Sequence, residues 1–114
     1  MRSQIIYRLK RLGRPALFHE LADLPGFSGE AGIGIPSINI VYWPGLSLEA
    51  SLTLLGLIQD EVVSLIPTRA QRYIDEEHFV ALPVASDIKE HSSPHWFPVV
   101  IRLKEEYFKE NMEA

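Results

Sequence analysis

Residues 37–66 read SINIVYWPGLSLEASLTLLGLIQDEVVSLI and set out a strand, a helix and a second strand in that order. Ile38, Ile40 and Tyr42 alternate with Asn39, Val41 and Trp43, the period-two pattern of a strand, and Pro44-Gly45 ends it. Ser47 is the N-cap, where its side-chain oxygen accepts from a first-turn N–H that would otherwise lack a partner. Glu49 follows in the first turn, where the helix dipole favours an anion. Leu48, Leu52 and Leu55 share one face, and Ala50 and Leu54 cover much of the rest. That pattern predicts a central helix buried on more than one side. On this expectation Leu52→Ala or Leu55→Ala costs about 2–5 kcal/mol. Gly56 is read as the helix stop, with Leu57 folding back onto the last turn. Val62 to Ile66 is the next strand, closed by Pro67.

Upstream, Ile5, Ile6, Leu9 and Leu12 fall on one helical face and Arg8 and Arg11 on another, with Gly13 as the stop. Pro15 suits the first turn of a second helix carrying Leu17, Leu21 and Leu24 as its stripe, halted by Pro25-Gly26. Gly26, Gly29, Gly32 and Gly34, bracketed by Pro25 and Pro36, then predict a loop from Gly26 to Pro36. Downstream, Phe79 to Ala85 reads as a third strand, pushed to a sheet edge by Pro83. Trp96 to Leu103 reads as a strand running into a short acidic helix through Glu110. The expectation is an α+β fold: two N-terminal helices, a central buried helix, a small sheet of three or four strands and a short C-terminal helix. Residues 1–114 form one domain in this reading, with a basic helical part (1–25), an α/β core (36–104) and an acidic tail or helix (105–114).

Composition narrows the function. Hydrophobic residues make up 46% of the 114, the ordinary globular value, and there is no cysteine. The latter excludes disulfides, thiolate zinc sites and cysteine nucleophiles, and it fits a reducing, cytoplasmic setting. The longest nearly apolar run, Leu52 to Ile58, is seven residues, against the roughly 20 that span a bilayer. No signal-peptide hydrophobic region follows Arg2. The net charge of −4 is uneven: residues 1–15 hold Arg2, Arg8, Lys10, Arg11 and Arg14 without an acidic side chain, so the rest carries −9. Such a basic end can grip phosphates while the acidic body repels nucleic acid at long range.

His91 and His95 stand at a metal-ligand spacing, but Pro94 between them disfavours a helix there, and a solvated polar loop is the plainer reading. His19 and His78 have no partner visible in the sequence and read as surface residues. Asp60-Glu61 and Asp75-Glu76-Glu77 read as solvated turn charges. No hydrolase elbow occurs, and the spacing Gly29, Gly32, Gly34 precedes a strand instead of opening a helix, the wrong order for cradling phosphate. No cofactor is expected, and a metal-dependent enzyme through His91 and His95 is the least favoured alternative. The stretch IIYRLKRLGRPALFHELADLPGFSG reads like the opening of a helix-turn-helix, but the residues where a recognition helix belongs are Gly29-Glu30-Ala31-Gly32-Ile33-Gly34. A small DNA-binding regulator with a degenerate motif, using the five N-terminal cations, is the stronger alternative. Trp43 and Trp96 are candidate partner-binding residues, being large and adjacent to prolines near strand ends.

Residues 44–72, PGLSLEASLTLLGLIQDEVVSLIPTRAQR, carry a further signal. They resemble the abortive-infection antitoxins of the AbiEi type, the antitoxin halves of type IV toxin–antitoxin pairs. Ser47, Leu48, Glu49 and Leu52 match that family's helix start, with Ala50 and Ser51 in swapped order. Gly56, Leu57 and Ile58 match its second element, and Val62, Thr68 and Arg69 its strand and Thr-x-Arg segment. The family places a winged-helix DNA-binding domain before this segment, of which the two N-terminal helices would be the counterpart. The resemblance implies a non-enzymatic regulatory protein that binds and restrains a cognate toxin, and homo-oligomers are compatible with it.

Overall fold

The computed structural model describes residues 1–110. The first helix, α1 (Arg2–Leu12), turns Ile5 and Leu9 into the core and ends at Gly13, whose φ of 66° is the left-handed cap expected there. The second N-terminal helix does not form. Residues 15–24 hold only a 3₁₀ turn, Phe18–Leu21, with Leu17, Phe18 and Leu21 buried together. The backbone entering the turn is extended, with Leu17 at φ −76° and ψ 147°. Ala16 instead pairs as a strand residue, exchanging both main-chain bonds with Ile101 at 2.8 Å.

The glycine-rich stretch is a strand and not a loop. β1 (Ser28–Ile35) runs antiparallel to β2 (Ile40–Leu46), with several register shifts. Its glycines are there because the two backbones touch. A Cβ built on Gly32 would lie 2.5 Å from the Trp43 carbonyl oxygen, and one on Gly34 2.2 Å from that of Ile40. Glycine density marks close approach here, as it does at bulged strands generally. β2 accordingly begins later than the alternation suggests: Pro36–Ile38 form a 3₁₀ turn, and Pro44-Gly45 lie inside the strand.

Helix α2 (Leu48–Gln59) follows, capped by Ser47, whose Oγ accepts from the Ala50 N–H at 3.0 Å and donates to the Gly26 carbonyl. It runs past Gly56. The fold-back ending is present but sits five residues later, with Glu61 at φ 58° in the left-handed position. The Val62 N–H reaches the Leu57 carbonyl at 2.9 Å and the Glu61 N–H that of Ile58 at 3.0 Å, the two bonds of a Schellman ending. β3 (Val63–Pro67) then pairs antiparallel with β5 (Val99–Leu103).

Between them lie α3 (Ala70–Ile74) and a long irregular stretch. Phe79 to Ala85 is not a strand; it contributes a single bridge, Val84 to Trp96. β4 (His95–Trp96) lies parallel to β2, and Phe97-Pro98 separates it from β5, so the single C-terminal strand expected is two. The sheet is correspondingly split into β1-β2-β4 and β3-β5. α4 (Glu105–Glu110) closes the described chain; residues 111–114 of the expected acidic tail lie outside it. Among the described residues no helix is long and apolar enough to cross a membrane.

One buried tyrosine joins the parts. The Tyr73 hydroxyl on α3 donates to the Val99 carbonyl at 2.7 Å and accepts from the Phe18 N–H at 3.1 Å. Burial pushes its pKa up, so it stays a neutral donor. Trp43 stacks on Phe18 and on Tyr73, and Trp96 meets Tyr73 edge-on at 5.5 Å. The spacing Ala70, Tyr73, Ile74 is helical and is the signal by which α3 could have been found.

Candidate partner-binding surface

The central helix is buried on one side only, which corrects the expectation for it. Ala50, Ser51, Leu54 and Leu57 face inward. Leu48, Leu52 and Leu55 are 66%, 60% and 48% exposed and form an outward stripe at i, i+4, i+7. The expected cost of Leu52→Ala or Leu55→Ala therefore moves to Leu54 and Leu57. A row of exposed leucines on a capped, regular helix is the kind of apolar patch that marks a binding surface.

The residues carrying the antitoxin resemblance divide by this geometry. Ser47 caps, Leu57 is fully buried and Ile58 is partly buried, so these three build the helix–strand corner. Thr68 donates its N–H to the Pro98 carbonyl at 3.0 Å, and Arg69 is the exposed N-cap residue of α3. Leu48, Glu49 and Leu52 point away from the fold. Gly56 lies mid-helix, where an added Cβ would meet nothing within 4 Å.

Leu55 also borders a groove of about 770 Å³. Ile33 of β1, Tyr42 of β2, and Leu55 and Ile58 of α2 make its apolar walls, and Val63, Ser64 and Leu65 of β3 run along it. Burial pushes the Tyr42 hydroxyl pKa up, so it is a neutral donor there. Its charged lining is Glu61, Arg102, Lys104 and Glu105. None of Ile33, Tyr42, Ser64 or Arg102 stands out in the sequence, because they come from four separate stretches that only the fold brings together.

The two tryptophans separate. Trp96 is 1% exposed and lies in the core, out of reach of a partner while the fold is closed. Trp43 is partly buried within the aromatic stack.

The N-terminal cations are mostly engaged. Arg8 makes a two-pronged pair with Asp23 at 2.7 and 3.1 Å, and Arg14 one with Glu20 at 2.9 and 2.6 Å. Arg2 reaches Asp60 at 3.1 Å. The hydrogen bonds from Arg8 and Arg14 hold the carboxyls of Asp23 and Glu20 below their usual range. Arg11 lies over the Tyr7 ring at 5.9 Å, and neither it nor Lys10 forms an ion pair among the described residues. The helix-turn-helix is not completed: a 3₁₀ turn occupies its second position and β1 its third.

The histidines pair instead of standing alone. His19 stacks on His78 at 4.1 Å with Nε2 2.5 Å from Glu76, and His91 stacks on His95 at 4.1 Å. His19 and His78 thus have the partners the sequence did not reveal, and His19, its side chain 11% exposed, is not the surface residue expected. Among the described residues no group of three or more His, Cys, Asp or Glu side chains could hold a metal ion.

No protein-family model, no curated protein and no solved structure matches the chain.

Proposed function

We propose that this chain is a non-enzymatic, cytoplasmic binding protein of the antitoxin type, which restrains a toxin encoded beside it through the outward leucines of α2. The observation that carries the reading is a coincidence of place. The segment that resembles the AbiEi-type antitoxins is also the one that leaves Leu48, Leu52 and Leu55 uncovered. A stripe at i, i+4, i+7 on a helix is the pattern by which one protein's helix enters another's groove. Glu49 beside it supplies a charge that can set orientation, as rim charges do.

The test is growth of cells expressing the adjacent open reading frame, with and without this chain. Rescue from toxicity is expected, and the double substitution Leu48→Glu, Leu52→Glu should abolish it while the purified variant keeps its circular dichroism and melting temperature. Absence of toxicity, toxicity without rescue, or full rescue by the double variant would each overturn the reading.

A further inference from the structure

Strand β3 is hydrogen-bonded on one side only, and the phase of its ladder shows which groups are free. Val63 stands opposite Leu103, Leu65 opposite Ile101 and Pro67 opposite Val99. At the two ends, the Lys104 N–H reaches the Val62 carbonyl at 2.9 Å and the Thr68 N–H the Pro98 carbonyl at 3.0 Å. In an antiparallel pair such bonds fall on alternate residues, so Ser64 and Ile66 turn their main-chain groups to β5. Val63 and Leu65 turn theirs the other way, where no strand pairs among the described residues. Pro67 brings no N–H to that edge and ends it.

The free edge runs along the groove. Val63, Ser64 and Leu65 are consecutive, with side chains alternating in direction, and all three line it; such a run meets a groove along the edge of the strand. Ile33 and Gly34, from the other unpaired edge strand, β1, lie across the gap. The space is therefore bounded by two sheet edges, with α2 alongside.

We propose that the groove binds an extended peptide segment that adds to β3 as a strand and carries an apolar–acidic–apolar triplet. Main-chain bonds to the N–H and C=O groups of Val63 and Leu65 hold the segment, the recurring mode of strand addition. The two residues opposite Val63 and Leu65 turn their side chains to the face where Leu55 and Ile58 stand, which calls for apolar groups. The residue between them lies in the row of Ser64 and Arg102, which are ladder partners. Ser64 is small and exposed, so the Arg102 guanidinium can reach across it. Arg102 forms no ion pair among the described residues, and a carboxylate in the middle position complements it.

The assay needs no toxin. A random heptamer display library is panned on the immobilised full chain, and an enriched peptide is synthesised for affinity and amide-exchange measurements. Enrichment of apolar–Asp/Glu–apolar triplets is expected, together with slowed exchange at Val63 and Leu65. Arg102→Glu should switch the preferred middle residue to Lys or Arg. Leu65→Pro removes an edge N–H but no ladder bond, so the variant should fold and bind at least tenfold more weakly. Leu52→Glu should leave peptide affinity unchanged, which separates failure of this site from failure of the leucine face. No enriched consensus, protection confined to other strands, or a middle-residue preference that Arg102→Glu leaves unchanged would overturn the proposal.

Discussion

Strand β1 and helix α2 lie against each other, yet they are ordered by opposite means. β1 buries a single side chain, Ile33, and its order comes from main chain against main chain, with Gly29, Gly32 and Gly34 so close to β2 or Ser47 that no Cβ fits. α2 owes its place to side-chain area: Ala50, Ser51, Leu54 and Leu57 seat it, while three other leucines stay outside. One region is intolerant of added atoms and the other of deleted ones. α2 also has apolar side chains beyond those that hold it in place.

The sharpest way to break the comparison is to shorten leucines on the two faces of α2. Leu54 is fully buried, so Leu54→Ala leaves a cavity and should destabilise by about 2–5 kcal/mol in urea unfolding. Leu52→Ala, two residues away on the exposed face, should fall within about 0.5 kcal/mol of the parent. Equal losses at both positions would mean that the stripe is covered in the folded protein and is no docking surface.

Gly34→Ala tests the other half. The new methyl would sit 2.2 Å from the Ile40 carbonyl oxygen and 3.0 Å from the Val41 Cα, atoms that cannot rotate aside. Opening the hairpin to admit it should cost roughly 1–3 kcal/mol, the usual range for overpacking, measured in the same urea titration. In a flexible loop the same substitution would be neutral or slightly stabilising.

These two regions also show what a sequence can and cannot declare. α2, its Ser47 cap and β3 were legible because cap chemistry and apolar runs are local signals. β1 was not, since glycine has the same local meaning in a loop as in a strand pressed against its neighbour; the difference lies in partners across the hairpin, from Ile40 for Gly34 to Ser47 for Gly29. The leucines of α2 failed for a related reason. An all-round apolar pattern reports that a helix could be buried everywhere, and the fold supplied neighbours on one side only. The second N-terminal helix was lost because the two main-chain bonds between Ala16 and Ile101 hold the chain extended where that helix would begin. The groove was least legible of all, because Ile33, Tyr42, Leu55 and Arg102 belong to four elements with no common motif.

Gly56 offers the smallest effect and a decisive sign. As the left-handed stop that its neighbours suggest, it would resist a side chain, and Gly56→Ala would destabilise by about 1 kcal/mol. In the structure that role falls to Glu61, and Gly56 is an ordinary residue in the fourth-from-last position of α2 with open space around its would-be Cβ. Alanine there removes backbone freedom from the unfolded chain and adds no clash, so the substitution should stabilise by roughly 0.5–1 kcal/mol. The same methyl added to β1 at Gly34 and to α2 at Gly56 should then act with opposite sign. That pair of measurements distinguishes order set by main-chain contact from order set by side-chain burial.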